Sequence, residues 1–282
     1  VDLRIGLSDE RWSARSVRDP WTLFRDRDRW RANPTLDEGR FHLAAAALRV
    51  DTRNDEAHPW AGWYLLTELE HGRGTLEQRA LASDPRALTA NRPIDWTRTF
   101  VDVRRYNRLA PNTQLNVRLV FGGSLGGGSL PYQRRLSLGG PGTLEGYDFR
   151  RDALTQMTCT TPSATLGPPP GIPAECERIA LAQVEHRTDF SIDTDWFSRP
   201  GTRLRMRRAG QWVLFANSGR GWLVGPREGE RQYGPSDFPD FSTFRTDIGA
   251  GVDFGILGLY VAKSVSDGDE RPNFYVRLRR RF

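Results

Sequence analysis

Apolar and polar residues alternate along much of this chain with a period of two. From Gln114 to Phe121, Leu115, Val117, Leu119 and Phe121 share one face while Gln114, Asn116 and Arg118 take the other. Ile248, Ala250, Val252 and Phe254 alternate with Gly249, Gly251 and Asp253. At the C-terminus Phe274, Val276, Leu278 and Phe282 share a face, opposite Arg277, Arg279 and Arg281. Successive side chains of a strand point to opposite faces, so this alternation predicts strands. The 3.6-residue period of an amphipathic helix is scarce. The pattern predicts about ten strands. They start near Val1, Phe41, Trp60, Trp96, Thr113, Arg178, Arg203, Phe244, Leu257 and Asn273. Each is expected to run roughly 9 to 14 residues, long enough to cross a bilayer when tilted. Strands of water-soluble proteins usually run about 5 to 6 residues.

The expected connectors alternate in length. Residues 12–40, 72–95, 124–177 and 219–243 are long, and 264–272 is moderate. Residues 54–59, 107–112 and 255–256 are short, and 193–201 is of middling length. Short turns at one rim and long loops at the other characterise a bacterial outer-membrane barrel. A soluble sandwich has no reason to sort its loops by side. In a barrel the apolar face meets lipid and the arginines line a wet lumen. The pattern therefore predicts an all-β, antiparallel transmembrane barrel as a single domain over residues 1–282.

Composition narrows the choice. The 282 residues carry a formal net charge of +6, from 41 Lys+Arg against 35 Asp+Glu. Lys263 is the only lysine, so the basic charge is almost wholly arginine. Mean hydropathy is −0.59. No run approaches the roughly 18 apolar residues of a membrane-crossing helix, which excludes a helical membrane protein but not a barrel. The chain opens Val1-Asp2-Leu3-Arg4 without methionine or a secretory leader, as expected of a mature segment or a piece of a longer protein.

Few motifs suggest chemistry. His42, His58, His71 and His186 show no metal-ligand spacing, and neither cysteine has a CxxC neighbour, so no metal or other cofactor is expected. The glycine run 122–129 lacks a following GK[ST], and no G-x-S-x-G elbow occurs, so no enzymatic activity is expected. The basic run 277–281 reads as a lumen-facing strand rather than a nucleic-acid patch. Cys159 and Cys176 stand in a Thr/Pro/Gly-rich stretch. They form either a loop-closing disulfide, which fits an oxidising compartment, or two unrelated thiols. Trp60, Trp63, Trp96, Trp212 and Trp222 lie near predicted strand ends, where an interfacial aromatic girdle would place them.

The segment Leu136-Ser137-Leu138-Gly139-Gly140-Pro141-Gly142-Thr143-Leu144-Glu145-Gly146-Tyr147 resembles the hallmark loop of the BamA/TamA superfamily of outer-membrane assembly factors and bacterial surface antigens. That loop carries Leu-Gly-Gly, a short spacer and Val/Leu-Arg-Gly-Phe/Tyr. Further pieces follow in the family's order. Asp51-Thr52-Arg53-Asn54 with Pro59 and Gly62 resembles its Asp-Thr-Arg-Asp…Pro-x-x-Gly turn. Glu185-His186-Arg187 resembles its Glu-x-Arg strand, and Leu214-Phe215-Ala216-Asn217-Ser218-Gly219 its Leu-Phe-Val-Asp-Ala-Gly strand. Phe274, Val276, Leu278 and terminal Phe282 resemble the sorting signal of outer-membrane barrels, which also forms one side of the family's seam.

The resemblance implies that the long loop folds into the lumen with Gly139, Gly140, Glu145, Gly146 and Tyr147 at its tip, docking on Glu185, Arg187 and Asn217. This chain departs from the family at two places: the loop arginine is Glu145, and the strand aspartate it meets is Asn217. Losing both charges together strands neither. Glu145 is then expected to accept from the Asn217 amide or to pair with a lumen arginine such as Arg187. Arg150 is an alternative anchor. These strands would be the last ten of a sixteen-stranded barrel preceded by POTRA modules, or else a smaller barrel.

The implied function is an outer-membrane barrel that inserts or translocates proteins without catalysis. Its expected partners are outer-membrane lipids and lipopolysaccharide, client outer-membrane or secreted polypeptides, and periplasmic POTRA partners. The alternative is a passive pore, or a barrel anchor exporting an attached domain of patatin-like or two-partner-secretion type.

Overall fold

A computed structural model describes residues 1–13, 25–26, 29–30, 37–78, 92–127, 130–147, 176–199, 202–224, 232–233, 237–255, 257–266, 268, 271–278 and 281. It is all-β, with no α-helix among the described residues. The long strands are β1 (Asp2–Trp12), β4 (Glu38–Asp51), β5 (Gly62–Gln78), β6 (Arg92–Ala110), β7 (Thr113–Gly127), β8 (Arg178–Arg199), β9 (Thr202–Val224), β11 (Arg245–Asp253), β12 (Gly258–Ser264) and β13 (Asn273–Arg277). Three two-residue pieces are β2 (Arg25–Asp26), β3 (Arg29–Trp30) and β10 (Gln232–Tyr233).

The ten long strands form one antiparallel meander, β1-β4-β5-β6-β7-β8-β9-β11-β12-β13. Each pairs with its sequence neighbours among the long strands, the arrangement that hairpin connections favour. Among the described residues β1 and β13 each have one unpaired edge, and the sheet is not closed. The meander puts connectors 52–61, 111–112, 200–201 and 254–257 at one rim, and 13–37, 79–91, 128–177, 225–244 and 265–272 at the other. The long connectors share a rim.

Strand lengths depart from expectation. β8 and β9 reach 22 and 23 residues, whereas β12 and β13 have only 7 and 5. Residues 193–199 of the expected middling loop are instead strand. β8 follows β7 only to Thr188, opposite Thr113, and β9 follows β11 only to Gln211, opposite Asp253. Beyond that rim residues 189–199 and 202–210 pair with each other as a projecting ribbon. Its register sets Asp193 opposite Arg207 and Asp195 opposite Arg205.

The polarity of the sheet is inverted relative to a water-soluble fold. On one face Asn116, Gln183, Glu185, Arg187, Asn217 and Asp247 are all at most 1% exposed. On the other, Leu119, Trp212, Leu214 and Ile248 are 51–58% exposed, and Phe274 is 81% exposed. His186 and Lys263 share this apolar face, each within two residues of where pairing with a neighbouring strand or the strand itself ends. A long amphipathic side chain there can carry its charge to the rim.

The polar face is concave. Trp12 of β1 and Trp96 of β6 lie three strands apart, about 14 Å on a flat sheet. Their ring centroids are 6.5 Å apart, with Phe41 of β4 against both. Loop residues 130–147 lie over this face, and Leu138, Leu144 and Tyr147 bury against Val120, Ile179 and Leu181.

Trp60, Trp63 and Trp212 are exposed, but Trp96 and Trp222 are buried, so these two leave the expected girdle. Trp96 has the inward parity of Asp102 and Tyr106 on β6. Trp222 packs edge-on against Phe238 of the 237–244 segment, with ring centroids 5.4 Å apart.

Candidate functional site

The site lies where the 130–147 loop meets the concave face. Its tip is a compact turn. Gly139, Gly140 and Gly142 have φ of 111°, 81° and 90°, a region side chains other than glycine rarely enter. The Gly140 N–H donates to Leu144 O at 2.9 Å, and Thr143 Oγ1 accepts from the Gly139 N–H at 3.0 Å. At Gly146 the tip lies directly on the sheet. A Cβ there would stand 2.6 Å from Lys263 C and 2.7 Å from Ser264 N. The Gly146 N–H donates to Asp247 Oδ2 at 3.0 Å, and Ser264 Oγ donates to the Tyr147 hydroxyl at 2.6 Å.

The tip is held by strands from both sides. Arg118 of β7 donates to Gly142 O at 3.1 Å, and Gln183 of β8 donates to Thr143 O at 2.9 Å. Farther back, Arg134 pairs with Glu10 of β1 at 3.0 Å and Glu70 of β5 at 3.2 Å. The loop therefore engages strands from one edge of the sheet to the other.

Glu145 is fully buried and points toward the last strand. Tyr275 OH donates to its Oε2 at 2.6 Å, Arg277 Nη1 to its Oε1 at 3.2 Å, and Arg281 Nη2 lies 2.7 Å from Oε2. Arg281 also reaches Glu185 Oε2 at 3.4 Å, donates to Asn217 Oδ1 at 2.9 Å and stacks over the Phe215 ring. Arg187 bonds Glu185 and Asp253. Asp102 accepts from Arg104 and Arg118 at 2.7 and 2.9 Å. Most buried charges at this site thus meet an opposite charge. That is the condition under which ions persist away from water.

Of the residues singled out from sequence, Glu145, Glu185 and Asn217 come together through Arg281. Glu145 does not meet the Asn217 amide, which donates instead to Asp247 at 2.6 Å. Arg187 lies one carboxylate further along, on Glu185. Gly139, Gly140, Gly146 and Tyr147 form the tip. Phe274, Val276 and Leu278 all lie exposed on the opposite face. Phe282, Arg150 and Cys159 lie outside the described residues, and with Cys159 any pairing to the fully buried Cys176. Sequence reasoning missed Asp247, Gln183, Arg118 and Tyr275. Their inward parity was readable, but parity does not say which strand faces which loop residue.

At the short-turn rim, the Asp51 carboxylate bonded to Arg53 at 2.7 Å holds that guanidinium above its ordinary range. Three arginines, Arg49, Arg53 and Arg104, lie over the Tyr64 ring. Among the described residues no group of three His, Cys, Asp or Glu is placed to hold a metal. Comparison of the chain with protein-family models and with curated proteins finds no match.

Proposed function

We propose that this chain is barrel wall of a bacterial outer-membrane assembly or translocation factor, with the 130–147 loop as a plug in its lumen. The observation that carries this reading is the inverted polarity: ions buried in pairs on the concave face, large apolar side chains exposed on the convex one. In water the convex face would be an apolar patch of the kind that marks a membrane or partner surface. Against acyl chains it is satisfied. Backbone groups at bilayer depth must pair within the protein, and a β structure meets that demand only when closed. Closure therefore requires the β1 and β13 edges to pair with each other or with further strands.

The resemblance of the tip sequence to the assembly-factor hallmark, and the seating of that tip on the concave face, favour assembly over passive conduction. In this reading the work is strand exchange rather than bond chemistry. An edge strand pairs transiently with a client strand and hands it to the bilayer.

The test is insertion. Proteoliposomes carrying the full protein are expected to accelerate folding of an unfolded outer-membrane barrel at least several-fold over empty liposomes. Equal rates would end the assembly reading. A steady ionic conductance in planar bilayers without any insertion activity would instead support a pore or export anchor.

A further inference from the structure

We propose that the short-turn rim carries a site for the phosphate of an anionic phospholipid, built from Arg105 with Trp63 and Arg108 with Trp60. The inference rests on the lipid-facing reading above and names a headgroup site within it.

These two arginines differ from their neighbours in what surrounds them. Arg105 has the outward parity of Val101 and Val103 on β6, so its charge lies on the apolar side of the sheet. Trp63 of β5 is its direct cross-strand partner, and the guanidinium carbon lies 4.9 Å from the centre of that ring. Arg108, near the end of β6, lies over Trp60 in the same way at 4.8 Å. Both rings are about half exposed, Trp60 at 44% and Trp63 at 50%. Arg105 Nε donates to Asn107 Oδ1 at 2.8 Å, and Arg108 donates to the carbonyl oxygens of Ala110 and Pro111 at 3.4 and 3.0 Å. Among the described residues neither guanidinium meets a carboxylate. The arginines over Tyr64 are matched instead: Arg49 and Arg53 bond Asp51, and Arg104 bonds Asp102.

An unmatched arginine on a lipid-facing surface is costly at the bilayer midplane and mild at the interface. Exposed tryptophans mark the interface, and they stand at this rim. Trp63 lies at the start of β5, and Trp212 lies where β9 parts from β11. The anion available at that depth is a phosphodiester. A guanidinium meets it with two parallel N–H bonds, and a ring stacked on the guanidinium fixes the plane of that fork. Both terminal nitrogens of Arg105 are without a hydrogen-bond partner among the described residues, so its fork is left for this role. Beside Arg108 a cleft of about 300 Å³, walled by Trp60 and the 111–113 turn, gives room for the rest of a headgroup. The carboxylate lining that cleft, Asp189, is engaged by Gln211 at 2.6 Å. A zwitterionic lipid brings its own cation and gains less from two unmatched arginines, so the site selects an anionic headgroup.

The test measures boundary lipid in phosphatidylcholine vesicles carrying the full protein and a trace of spin-labelled lipid. The phosphatidylglycerol label is expected to associate with wild type about fivefold more strongly than the phosphatidylcholine label. Arg105→Gln combined with Arg108→Gln is expected to remove that preference. Lys263→Gln, on the same face at the opposite rim, is expected to leave it in place. A double variant that keeps the preference, or a Lys263 variant that loses it, overturns the site. Millimolar glycerol phosphate in the buffer is expected to change nothing, and loss of the preference on adding it would make this a free-phosphate site rather than a lipid one. Should the double variant fail to insert, Arg105→Gln alone is expected to lower the preference about twofold, and no change there equally overturns the site. A wild type that stays inserted but holds both labels alike overturns the site and leaves the lipid-facing reading intact. A wild type released from the vesicles by salt sinks that reading, and the site with it.

Discussion

Arg187 shows how much depends on a single side chain under the loop. Its guanidinium bonds both Glu185 and Asp253, and it is 1% exposed. Removing one partner of a buried ion set leaves the others uncompensated, at a cost of about 3–5 kcal/mol. Arg187→Ala is therefore expected to lower stability by that amount, read as a lower urea midpoint for loss of the heat-modifiable gel band. A change under about 1 kcal/mol would mean that this network is solvated. Gly146 tests the tip differently. A methyl group there meets backbone atoms of β12, and overpacking typically costs about 1–3 kcal/mol. Gly146→Ala is expected to lift the tip from the sheet, making residues 139–147 cleavable by added protease at concentrations that spare the wild type. At this level the sequence showed which residues face inward, because period-two alternation reports parity. It left Glu145 with two possible partners. The structure takes the second, a lumen arginine, but through Arg277 and Arg281 rather than Arg187, and adds the Tyr275 hydroxyl.

Among the elements, β7 gives the cleanest test of which medium bathes the convex face. Leu119 sits near its middle, 51% exposed, with Val103 and Ala182 as outward-facing neighbours in register. An arginine at bilayer midplane costs about 2–4 kcal/mol, falling to about 0–1 near the interface. Leu119→Arg is expected to lower the folding free energy in liposomes by the larger figure. A surface substitution in water usually stays within about 0.5 kcal/mol, so a negligible effect would place this face in water. Ten strands and the sorting of their connectors were legible in the sequence. Their ends were not. Residues 193–199, part of β8, read as the start of a loop because Asp, Thr and Ser, followed by Pro200 and Gly201, are turn formers. Backbone pairing of these residues with residues 202–207 of β9, far along the ribbon, is not visible in a local window. Trp222 was likewise misplaced, since cover by Phe238 comes from a different part of the chain.

For the molecule as a whole, the convex face governs how the protein partitions. Surface charge attraction to a membrane collapses at about 1 M salt, where the screening length is about 3 Å. The protein is expected to stay in the membrane pellet under those conditions and to enter solution only with detergent. Release by salt alone would contradict a lipid-facing convex surface. The two open edges bear on the same question, because unpaired strands at bilayer depth are not tolerated.

Alternation along the chain was enough to establish an all-β protein with one apolar and one arginine-rich face, since side-chain direction in a strand follows from local backbone geometry alone. It could not tell which of those faces is covered. That depended on curvature and on where a distant loop settles, both of which involve contacts between residues far apart in sequence. The same holds for the meeting of Glu145 with Tyr275, Arg277 and Arg281. These residues are separated by more than a hundred positions, and folding of the sheet around the loop brings them within hydrogen-bonding distance.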